Sequence, residues 1–151
     1  GEISEAREAF TAALRLAEEV EDLTGRSHAL AHLGNLAHIQ GDDTSALAFM
    51  REVLPIQYET EATVPILGSL VTLSLIARHA GDAQRVALLY GAIGALEART
   101  DARLVQRDRT KVDELLTWAT GELGAAATKL AVKRGGEFSQ TQVLELALAL
   151  D

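Results

Sequence analysis

The sequence contains no cysteine. Disulfides, thiolate metal sites and cysteine nucleophiles are therefore excluded, and the absence fits a reducing cytoplasm. Aromatic residues make up only 4% of the 151 residues, and there are only two prolines. β-branched clusters are also few, so the composition is that of an all-helical protein. No apolar run approaches the ~18 residues that a bilayer-spanning helix needs, and the first residues do not read as a signal peptide. Cations are in short supply as well: Lys and Arg total 14 against 22 Asp and Glu, a formal net charge of -8. Phosphate backbones are bound by clustered Lys and Arg, so direct nucleic-acid contact is not expected. The one basic cluster, "KLAVKRGG" at 129–136, reads as a helix C-terminus, where cations complement the helix dipole.

What the chain does have is Ala and Leu, within a hydrophobic content of 48%. At this length that fills one domain with a sizeable core. "SEAREAFTAALRLAEEVEDL" (4–23) places Ala6, Phe10, Ala13, Leu14 and Ala17 on one face of a helix, the spacing of an amphipathic stripe. "TGR" at 24–26 then reads as a break, and a second helix is expected over 26–40. Gly41 reads as its C-cap, and Asp42, Asp43 or Thr44 can cap a third helix over 43–58. A fourth helix starts near Thr63, tolerates Pro65 in its first turn and runs to about Ala80. Gly81-Asp82 repeats the stop and start, and a fifth helix covers 83–99.

The two Gly-Asp turns lie 40 residues apart, at 41 and 81. Overlaying them brings Ala46 onto Val86, Met50 onto Tyr90 and Val53 onto Ile93. Helix–turn–helix units at such a period point to an α-solenoid. "LGNLAHIQGDDTSALAFMREVL" (33–54) resembles a tetratricopeptide repeat. Leu33 and Gly34 match its Leu-Gly pair, Ala37 stands in the place of a Tyr, Gly41-Asp42 forms the inter-helix turn and Ala46 is the small residue of the second helix. The resemblance implies a tetratricopeptide-like solenoid of antiparallel helix pairs over residues 1–100, longer than the usual ~34-residue unit. A helical cap is expected over 101–151, because the last apolar face of a solenoid must be covered.

That last third opens with a more polar helix, "ARLVQRDRTKVDELLTWATGEL" (102–123), whose apolar stripe is expected to include Val105, Val112, Leu115, Leu116 and Ala119. A shorter helix ends at Gly135-Gly136. Ser139 then reads as the N-cap of a final helix, with Phe138 as a hydrophobic staple against Val143. The order of elements over 83–150 resembles the C-terminal end of bacterial LuxR-type and related multidomain regulators, which carry an NTPase module and helical repeats. The chain begins mid-pattern, as expected of a piece of a longer protein.

No phosphate-binding Gly-rich loop and no Gly-x-Ser-x-Gly elbow occurs, and no acid–base pair or nucleophile constellation can be assembled. An enzyme is not expected, nor a cofactor or metal. His28 and His32 form an i, i+4 pair on one helix face, but "HALAH" lacks the Glu of the zinc-protease motif. In tetratricopeptide arrays the first helix of each pair lines a concave groove. The resemblance therefore implies a groove formed by His28, His32, Asn35, His38, Thr72, Leu75, Arg78 and His79, with Asn35 matching an Asn that bonds peptide backbones. The function this implies is a non-enzymatic interaction or sensing module of a bacterial cytoplasmic regulator. Its partner is a protein, a peptide or a neighbouring domain of the same chain. A small-molecule inducer site and a homodimerisation module are the alternatives, and no membrane partner is expected.

Overall fold

Four turns set the rhythm of the first hundred residues. The computed structural model describes residues 1–149, and all regular structure among them is helical. Helices α1 (Glu2–Glu19), α2 (Leu23–Ile39), α3 (Asp43–Glu59), α4 (Thr63–His79) and α5 (Ala83–Arg99) succeed one another. From α2 to α5 each helix has 17 residues, and the starts at 23, 43, 63 and 83 are 20 apart. One residue at each junction has positive φ: Glu21 (55°), Gly41 (81°), Glu61 (52°) and Gly81 (72°). The next N–H then donates five residues back: Asp22 to the Ala17 carbonyl at 2.8 Å, and Asp42 to Ala37, Ala62 to Gln57 and Asp82 to Ala77 at 2.9 Å. This bond with a left-handed residue is the Schellman ending, which satisfies carbonyls that the helix leaves free. Three of the four turns restart on a capping aspartate. Asp22, Asp42 and Asp82 accept from the N–H groups of Gly25, Ser45 and Arg85, each at 3.0 Å.

The first break lies earlier than the sequence suggests. α1 stops at Glu19, and Thr24, Gly25 and Arg26 belong to the first turn of α2. Glu21 and Asp22 make the turn, not the "TGR" segment. Gly25 is small for a local reason: a Cβ there would lie 2.4 Å from Oδ2 of the Asp22 carboxylate that caps the helix. α1 itself is thinly covered. Of its expected stripe, Ala17 is buried, Ala6, Phe10 and Leu14 are partly buried, and Ala13 is exposed.

Consecutive helices joined by three-residue turns run antiparallel and pack on one another, from α1 on α2 through α4 on α5. Gly34 and Ala46 meet at the α2–α3 crossing, where a Cβ on Gly34 would lie 3.2 Å from the Phe49 Cβ and 3.5 Å from the Ala46 carbonyl oxygen. The core runs through Leu30, Met50, Leu54, Leu70, Leu89 and Ile93, all fully buried.

Three further helices complete the chain: α6 (Gln106–Leu123), α7 (Ala125–Gly136) and α8 (Gln140–Leu148). α6 starts at Gln106, not 102. Val105 is its N-cap and stays exposed, while Val112, Leu115 and Ala119 carry the buried stripe. α7 lies against α5, and α8 returns to α3. Ser139 caps α8 in a reciprocal capping box with Gln142, satisfying two free N–H groups at once. Phe138 and Val143 belong to one apolar cluster. Among the described residues, no helix is long and apolar enough to cross a membrane.

Candidate ligand-binding cleft

α2 and α4 are alternate helices of the repeat and touch each other directly. Between them lies a cleft of about 520 Å³. His28, His32 and Asn35 line it from α2, and Thr72 and Leu75 from α4. Met50 and Gln57 of α3 line it too, and Arg107, Asp108 and Lys111 of the first turns of α6 form part of its wall. No local pattern signals that last wall, because it depends on how α6 folds back.

The other three expected groove residues lie elsewhere. Arg78 sits with its guanidinium carbon 4.0 Å from the centroid of the Trp118 ring, a cation–π contact between α4 and α6. His38 and His79 both turn to Asp43, at the opposite ends of α2 and α4 from His28. His28, His32 and Asn35 follow one another at helical spacing along α2. The last turn of each helix, however, reaches past the cleft and meets other partners.

Gln57 is a cleft residue that was not expected from the sequence. It is fully buried at the position equivalent to Ala17, Ala37 and Ala77, the residue whose carbonyl closes each turn. Its Oε1 accepts from the Ser69 hydroxyl at 2.8 Å. Its Nε2 is buried without a hydrogen-bond partner among the described residues. A buried orphan donor costs about 1–3 kcal/mol, whereas alanine serves at the three equivalent turns. The signal was available in the 20-residue register, but two of its four markers are glutamates and do not announce a turn.

At one rim of the cleft, three rings stack. Phe10 of α1 lies parallel to His32, with centroids 4.4 Å apart and 8° between planes. His28 meets His32 edge-on, and their Nε2 atoms are 3.2 Å apart. At that distance one nitrogen donates and the other accepts, so at least one ring is neutral. Among the described residues no further His, Cys, Asp or Glu completes a three-ligand group with this pair. Burial lowers the pKa of His32, and the charge on His28 lowers it further.

A folded-state pKa below the ordinary 6.5 means that the unfolded chain takes up the proton first. The stability contributed by neutral His32 is present above 6.5 and is lost as pH falls through the folded-state value. Thermal melts should therefore show the midpoint dropping between pH 7.5 and 5.5. His32→Phe keeps the stack on Phe10 and should flatten that drop. His38 and His79 are the same in both proteins, so the difference between the curves isolates the His28–His32 pair. Parallel curves would show that His32 titrates alike in both states.

No protein-family model, curated protein or solved structure matches this chain. The chemistry of the cleft is therefore set out by its own geometry.

Proposed function

We propose that this chain is a non-enzymatic sensing module whose α2/α4 cleft binds a small organic ligand. The observation that carries the reading is Gln57: a buried amide donor without a partner among the described residues, lining a cleft, at a turn position where alanine suffices three times. A ligand with a hydrogen-bond acceptor that pushes aside the side chains covering Gln57 would satisfy Nε2 and rest its apolar part on Met50, Val71 and Leu75. The volume of about 520 Å³ falls within the range of small-molecule sites, roughly 300–1,000 Å³. Asn35, in the wall, supports a second reading, in which a short extended peptide occupies the same cleft.

The first five helices fit tetratricopeptide-like pairs. Gly34 against Ala46 and the Gly41 and Gly81 turns support that reading, with a 40-residue unit in place of ~34. The setting we propose is the sensing end of a bacterial cytoplasmic regulator, on the likeness of residues 83–150 to such chains.

Gly68 gives a direct test. It is exposed in the cleft wall, and a Cβ there meets nothing within 4 Å. Gly68→Phe should fill the cleft, and it replaces a poor helix former in mid-helix. Wild type should bind anilinonaphthalene sulfonate, an apolar dye with one anionic group, saturably and at one site. Gly68→Phe should weaken that binding roughly tenfold or more, which corresponds to about 1.4 kcal/mol, while keeping the wild-type melt. Gln57→Leu combined with Ser69→Ala should raise stability in the absence of ligand, because it removes the orphan donor without stranding the buried Ser69 hydroxyl. Equal dye affinity in wild type and Gly68→Phe would refute the cleft as the binding site.

A further inference from the structure

Outside the cleft, the structure gathers a second set of chemically active side chains. His38 lies in the last turn of α2, His79 in the last turn of α4, and Asp43 is the first residue of α3 after its cap. His38 Nδ1 is 2.6 Å from Asp43 Oδ1, and His79 Nδ1 is 2.9 Å from Asp43 Oδ2. The two imidazole centroids are 4.9 Å apart. One ligand atom from each residue lies within 4.8 Å of the other two. None of the three lines the cleft, so a site here neither requires nor supports ligand binding between α2 and α4.

We infer that His38, Asp43 and His79 form a binding site for a divalent transition-metal ion of the zinc class. Two imidazole nitrogens and one carboxylate oxygen are a borderline donor set. It suits zinc, cobalt or nickel, whereas magnesium and calcium take oxygen ligands. Without metal, each ring donates its Nδ1–H to one carboxylate oxygen. On binding, Nδ1 presents its lone pair to the ion. A neutral ring then carries its proton on Nε2, and a protonated ring releases one to solvent.

Ligand atoms at the corners of a tetrahedron with bonds of ~2.05 Å are roughly 3.3 Å apart. The two hydrogen-bonded pairs, made to different oxygens of Asp43, have to open by about half an ångström or so from 2.6 and 2.9 Å, and any longer edge among the three ligand atoms, all within 4.8 Å of one another, has to close by up to about 1.5 Å. His79 can make that adjustment, because its side chain is 58% exposed; His38, at 10%, is fixed. The exposed side admits the ion and leaves room for water as the fourth ligand. Three helix ends, of α2, α3 and α4, would be joined by one ion, so binding should be coupled to the folded state.

The test uses the untagged 151-residue chain, stripped with a chelator and titrated with Co²⁺ and then Zn²⁺. Wild type should bind one ion per chain, with the visible absorption of four-coordinate cobalt, which Zn²⁺ then displaces. Zn²⁺ should also raise the melting midpoint. His79→Asn removes an exposed ligand, so the fold should hold by circular dichroism. It should weaken Zn²⁺ binding roughly 100-fold or more, beyond the 10–100-fold typical of losing a mere supporting residue, and abolish the shift in midpoint. A His28→Asn/His32→Asn double variant should bind as wild type does. Three results would each overturn the assignment: no one-to-one binding by wild type, unchanged affinity in folded His79→Asn, or a loss that tracks His28 and His32. In any of these cases Asp43 would be a hydrogen-bonded bridge between two helix ends.

Discussion

Gly135→Ala should lower the stability of the chain by about 3 kcal/mol, the upper end of what overpacking usually costs. For a domain of this size that is a drop of roughly 10 °C in the thermal midpoint. The reason lies at the crossing of α5 and α7. A Cβ on Gly135 would sit 1.9 Å from the Leu88 carbonyl oxygen, and a Cβ on Gly91 would sit 2.0 Å from that of Val132. Both collisions are with backbone, so no rotamer change relieves them. The helices would have to part, opening the buried contact of Ala87, Leu88 and Ala131. Gly94→Ala, on the exposed face of α5, meets nothing within 4 Å. It should be neutral or stabilise by up to about 1 kcal/mol, because alanine is the better helix former. Circular-dichroism melts of the two variants decide the matter. If Gly135→Ala melts with Gly94→Ala, the two helices are not in backbone contact.

These glycines also mark the limit of what could be read from the sequence. Helix existence was legible, and α5 was expected over 83–99, where it stands. Gly41 and Gly81 announced two turns because only glycine takes positive φ without strain. Glu21 and Glu61 make the same turn at φ 55° and 52°, held there by the helices on either side, and so half of the register was hidden. Gly135-Gly136 read only as the end of a helix, since a crossing partner in a distant helix leaves no local trace. The same holds for the cleft. Helical spacing alone puts His28, His32 and Asn35 on one face of α2 and Thr72 and Leu75 on one face of α4, and the packing of α2 on α4 brings the five together. Its α6 wall, the Arg78–Trp118 contact and the His38–Asp43–His79 group depend on long-range packing.

Glu97→Ala is the second large effect expected, and the repeat makes it a sharp test. Residue 97 continues the series 17, 37, 57 and 77, in which alanine stands three times. On local grounds, alanine should therefore be harmless. But α5 does not end in the left-handed turn of the others: its C-cap, Thr100, is extended at φ -133°. The chain leaves the repeat here, and Glu97 holds the departing segment. Its Oε2 accepts the Leu104 N–H at 3.0 Å, and its Oε1 pairs with Arg109 of α6. Burial pushes the carboxyl pKa up, but the Leu104 N–H and the Arg109 and Arg103 guanidinium groups outweigh it and hold it below 4.5. Stability from this carboxylate is therefore present above 4.5 and lost as pH falls through its folded-state value, well below the window assigned to His32. Removing the side chain leaves a partly buried N–H without its acceptor and a partly buried guanidinium with only Asp113, at 3.9 Å, to pair with, which should cost about 2 kcal/mol at neutral pH. Glu97→Gln keeps an acceptor for Leu104 and should cost less. Glu97→Ala combined with Arg109→Met should recover part of the loss, because it removes the stranded charge. Urea unfolding of wild type, Glu97→Ala, Arg109→Met and the double variant gives the coupling directly. Additive single losses would mean that Arg109 does not depend on Glu97, and that this pair does not hold α6 over the cleft.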